Sequence, residues 1–66
     1  MIPIKYFWTD FSPTESEIYR AMSIAKNEEC MVVVKWKAFG YPYSMIVQPH
    51  ASFDDCEKQI PKVYGL

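Results

Sequence analysis

His50 is the one side chain in this sequence whose ordinary pKa lies near neutrality. Asp54, Asp55 and Cys56 follow it closely. A thiol beside an imidazole is the arrangement of a sulfur nucleophile with its base. The surrounding pattern tells against that chemistry. Cys56 shares an apolar helical stripe with Phe53 and Ile60, where a thiol is a small buried hydrophobe and inert. Cys30, Cys56 and His50 are spaced too widely for a zinc site. Asp10, Glu15 and Glu17 cluster at a helix start, and capping accounts for them. The only glycines are Gly40 and Gly65, so no glycine-rich loop can cradle a phosphate. The sequence therefore predicts a non-enzymatic chain with no catalytic residue, no metal ligand and no cofactor.

The residues with a use left over are basic and aromatic. Half of the 66 residues are hydrophobic and 17% are aromatic, too many rings for one small core. Lys35, Lys37, Phe39, Tyr41 and Tyr43 gather around one hairpin, and Lys5 and Phe7 can join them from a neighbouring strand. Aromatic anchors flanked by charge are typical of interface hot spots. The formal net charge of −1 is not the basic balance of a nucleic-acid binder.

The elements that must position these residues can be read in order. Residues 2–8 are rich in β-branched and aromatic side chains and read as a strand. Ile2, Ile4, Tyr6 and Trp8 are expected on its core face, with Lys5 and Phe7 on the other. Ser12 with Glu15, or Thr14 with Glu17, forms a capping box for a helix ending near Asn27. Ile18, Ala21, Met22 and Ala25 make its apolar stripe.

Residues 31–39 and 43–47 read as a hairpin around Gly40-Tyr41-Pro42. Val32, Val34 and Trp36 would face inward with Tyr43, Met45 and Val47. Val33, Lys35, Lys37 and Phe39 would face outward with Ser44, Ile46 and Gln48. Pro49 closes the strand. Ser52 caps a last short helix through Asp55, and Pro61 stops it.

The predicted fold is α+β: one small domain of β-α-β-β-α order, a three-stranded sheet with two helices packed on one face. It spans residues 1–66, with 61–66 expected as a mobile tail. The expected core is Ile4, Tyr6, Trp8, Ile18, Met22, Val32, Val34, Trp36, Met45, Val47, Phe53 and Ile60.

No apolar run approaches the roughly 18 residues that cross a membrane, and no signal-peptide pattern opens the chain. A cytoplasmic protein with reduced thiols is expected, and a Cys30–Cys56 bridge is the alternative if the fold brings the two positions close.

No family motif can be quoted from the chain. Its size and lack of catalytic apparatus are shared by small accessory and inhibitor proteins, phage ones among them. The expected function is a protein-interaction module that docks Lys35, Lys37, Phe39, Tyr41, Tyr43, Phe7 and Lys5 on a larger protein and blocks or modulates it. Single-stranded nucleic-acid binding by the same face is the alternative. A small His/Cys enzyme is the third and weakest. A homo-oligomer is also compatible, because a chain this small can gain burial from a second copy.

Overall fold

A computed structural model describes residues 2–61. The order is β1 (Ile4–Trp8), α1 (Glu15–Glu28), β2 (Met31–Ala38), β3 (Tyr41–Val47) and α2 (Phe53–Glu57). The fold is α+β, as the sequence predicts. The part of the expected tail beyond Pro61 lies outside the described residues.

The three strands form one sheet in the order β1-β2-β3. β1 runs parallel to β2, with Ile4 opposite Met31 and Trp8 opposite Lys35. A parallel pair needs a crossover, and α1 supplies it. β2 and β3 are antiparallel, with Val34 opposite Met45 and Trp36 opposite Tyr43.

The β2–β3 turn is tighter than the sequence suggests. Ala38 pairs with Tyr41, so the loop is Phe39-Gly40 alone, and Tyr41 and Pro42 belong to β3. Phe39 and Gly40 have φ of 53° and 80°. Positive φ at both central residues is the mark of a type I′ hairpin, usually written Asn-Gly. Phenylalanine in the first position hides that signal.

α1 starts at the later of the two possible boxes. The Glu17 N–H donates to Thr14 Oγ1 at 3.3 Å, and the Thr14 N–H donates to Glu17 Oε1 at 2.8 Å. The helix ends at Glu29, whose left-handed backbone (φ 50°) turns the chain into β2. Ser52 and Asp55 close the expected box on α2.

Both helices lie on one face of the sheet. α1 packs on β2 and β3, and α2 packs on α1 and β3. Ala21 and Ala25 are fully buried, since short side chains let the helix approach closely. Below them sit Val32, Val34, Trp36, Met45 and Val47, each at most 1% exposed. Burying a side chain of this kind contributes about 1.5–3 kcal/mol. Cys30 and Cys56 are buried free thiols in the same core. Met22, Phe53 and Ile60 pack around it, half-buried.

The expected core face of β1 is inverted. Ile4, Tyr6 and Trp8 are 49%, 57% and 70% exposed, while Phe7 packs against the core. Phe7 stands in one row with Val34 and Met45, both buried in the core. Lys5 shares that inner face but sits at its end, where its ammonium pairs with Glu28 at the end of α1. A charge there needs no burial, and the apolar weight of Ile4, Tyr6 and Trp8 is a misleading guide to which way the strand faces.

Candidate functional site

Among the described residues nothing covers the sheet face away from the helices, and β1 turns its largest side chains onto it. The register arranges them in cross-strand rows. Tyr6, Val33 and Ile46 form one row, and Trp8, Lys35 and Ser44 form the next. Side chains directly opposite on one face are in contact range, so each row is continuous. Ile4 and Met31 extend the face at one end. Lys37 and Pro42 extend it towards the hairpin tip.

Lys35 is central to this surface. Its Nζ lies 5.2 Å from the Tyr6 ring centroid and 5.7 Å from that of Trp8. An ammonium over a ring face is held by the ring quadrupole, worth about 0.5–1 kcal/mol at an exposed site.

Charge is divided between the two layers. The open-face rows contain Lys35 and Lys37 and no carboxylate. The acidic residues stand elsewhere: Asp10 in the loop after β1, Glu15, Glu17, Glu28 and Glu29 in or capping α1, and Asp54, Asp55 and Glu57 in α2. A near-neutral total thus conceals a basic, aromatic sheet face and an acidic helical layer.

Compared with protein-family models, with curated proteins and with solved structures, the chain matches none. The site therefore has to be read from its own geometry.

Of the residues expected at the contact, Lys35 and Lys37 lie on the open face. Phe39 and Tyr41, 75% and 66% exposed, stand at the hairpin tip beside it. Two others are corrected in position, and Tyr43 takes the inward place expected of it rather than a place on the open face. Lys5 and Phe7 are on the helix-covered side, for the reason given above. Tyr43 is half-buried and stacks on Trp36, with centroids 5.9 Å apart, because its position in β3 points inward. Tyr6 and Trp8 are the exposed open-face rings that sequence reading places in the core. The available signal was Phe7, whose ring fits the row of Val34 and Met45.

The thiol chemistry finds no support in the arrangement. Burial pushes the Cys56 thiol up, with a smaller contribution from the Asp55 charge, which disfavours the nucleophilic thiolate. His50 is exposed beside a shallow groove lined by Tyr19, Met22 and Lys26, and Cys56 is not part of that lining. Among the described residues no hydrogen bond joins the two, and no group of three or more His, Cys, Asp or Glu could hold a metal ion. No helix among them is long and apolar enough to cross a membrane.

Proposed function

We propose that the protein is a non-enzymatic interaction module. Its open sheet face docks on an acidic, partly apolar surface of a larger protein and blocks or modulates it. One observation carries the reading: the exposed Tyr6 and Trp8 rings gather around the half-buried Lys35 on a face whose strand rows hold no carboxylate. Isolated exposed hydrophobics need no explanation, but a contiguous patch marks a contact surface. Ile4, Val33 and Ile46 favour a protein over a nucleic acid, since aliphatic side chains offer a base no stacking plane. Phe39 adds support from the tip. A bulky residue in the left-handed region costs about 1–3 kcal/mol, and strain of this kind gathers at functional positions.

Single-stranded nucleic acid is the second reading, favoured by the adjacent Tyr6 and Trp8 rings beside two lysines. Bases stack on such platforms. Only two phosphates would be neutralised by Lys35 and Lys37, so affinity would be weak and would fall with salt at a log–log slope of only about −1.4.

Capture from lysate with the wild-type chain and with the Trp8→Ala/Lys35→Ala variant tests the protein reading. A partner retained by the wild type and lost by the folded variant supports it. Equal capture by both removes the face from the contact. Anisotropy titration with oligo-dT and oligo-U at low salt tests the second reading, and a flat titration removes it.

A further inference from the structure

The two edges of the sheet are not equivalent. In a strand, successive residues direct their backbone groups to opposite sides. In β3 the outward set includes Pro42, Ser44 and Ile46. Pro42 has no N–H to offer. The Gln59 side chain occupies Ile46, its Oε1 accepting from the Ile46 N–H at 2.9 Å and its Nε2 donating to the Ile46 carbonyl at 2.7 Å. That amide takes the place of a partner strand's peptide group. β3 is closed at two of these positions.

Among the described residues, nothing closes β1 in this way. Met31 N–H donates to the Pro3 carbonyl at 2.9 Å, and Thr9 N–H donates to the Lys35 carbonyl at 2.9 Å. The odd-numbered residues therefore face β2, and Ile4, Tyr6 and Trp8 point their N–H and C=O groups outward. Pro3 does not blunt the edge, because its donor-less nitrogen is on the β2 side. Lys5, the residue type that usually deters edge pairing, is tied to Glu28.

The geometry points to a second copy of the chain as the occupant of this edge. It pairs antiparallel, β1 to β1, about a two-fold axis at Tyr6. Tyr6 then meets Tyr6 of the other copy, and Ile4 meets Trp8, so every outward backbone group of the strand finds a partner. Lys5 falls opposite Phe7. Moving the axis to Lys5 would set two ammonium groups face to face, which disfavours that register. Arg20, which lines the groove beside Trp8 together with Glu17 and has no ion pair among the described residues, stands at the end where the other copy carries Glu29. Glu28 is held by Lys5, so Glu29, at the negative end of α1, is the complementary charge. The pairing joins two three-stranded sheets into one and leaves both open faces free for the proposed partner.

The seam is narrow. A seam of one five-residue edge strand, whose Ile4, Tyr6 and Trp8 side chains stay on the open face, falls below about 1,200 Å² in total, the range of weak and transient contacts. The association is therefore concentration-dependent.

Sedimentation from about 1 μM to about 1 mM tests this, together with hydrogen exchange at both ends of the range. The mass is expected to rise from that of one chain towards two. The Ile4, Tyr6 and Trp8 amides should gain protection as it does. Tyr6→Pro removes an outward donor and leaves the β1–β2 ladder intact, so it should stay monomeric with an unchanged circular dichroism spectrum. Ser44→Pro, the same change at the β3 edge, should still dimerise. A wild type monomeric at 1 mM overturns the proposal, as does a dimer whose β1 amides exchange at the monomer rate. The exchange result stands even if Tyr6→Pro fails to fold. Amides protected only when a captured partner is added would assign the edge to that partner's strand.

Discussion

Two residues test the physical account one side chain at a time. Phe39 holds a left-handed φ of 53° while 75% exposed. Asparagine tolerates that region and is the usual first residue of a type I′ turn. Phe39→Asn is expected to raise stability by about 1 kcal/mol, read as a higher urea midpoint at constant slope. The same variant should weaken partner capture if the ring is retained for contact. Cys56 makes a pH prediction. Its pKa is raised in the folded state, chiefly by burial, so the folded chain keeps a proton that the unfolded chain gives up. The stabilisation is complete below the unfolded thiol's pKa of about 8.5 and is lost as pH rises through the folded value. The urea midpoint should therefore drop more between pH 7 and pH 10 for the wild type than for Cys56→Ala. Equal drops would mean that the thiol ionises as easily inside the core as outside it.

At the scale of elements, β1 separates packing from contact within five residues. Phe7→Ala should cost about 3 kcal/mol, the usual loss for truncating a phenylalanine that packs on a core. Tyr6→Ala, one residue away, should cost less than about 1 kcal/mol, because its ring lies on the open face. Thermal melts of the two variants give the comparison, and the reverse order would contradict the inverted face of β1. Element order was legible because each element announces itself locally. Thr14 with Glu17 and Ser52 with Asp55 are capping boxes in the sequence and in the fold. Val32, Val34 and Trp36 alternate with Val33, Lys35 and Lys37, and lysine settles which set is wet. β1 was not legible in this way. Both of its faces carry apolar residues, and its lysine occupies the inner face at a sheet end, where Glu28 meets it. The turn at Phe39-Gly40 was hidden for a similar reason, a residue type foreign to its backbone conformation.

At the scale of the whole molecule, the layers differ in charge as well as in structure. The helical layer and the chain connections carry the carboxylates, and the open face carries lysine and exposed rings. Composition shows only the sum of these, which is why the candidate face could be anticipated through Lys35 and Lys37 while its aromatic half, Tyr6 and Trp8, could not. A sheet with one face unburied, one edge closed by Gln59 and Pro42 and the other edge open has two distinct surfaces for association. An acidic, partly apolar protein is the proposed occupant of the face, and a second copy that of the β1 edge. The most direct test is the affinity of a captured partner for the wild type and for Trp8→Ala, measured by titration calorimetry with circular dichroism confirming that the variant is folded. The account predicts at least about a tenfold weaker Kd for Trp8→Ala, the loss of more than about 1.4 kcal/mol expected at an aromatic anchor. An unchanged Kd in a folded Trp8→Ala chain would contradict it.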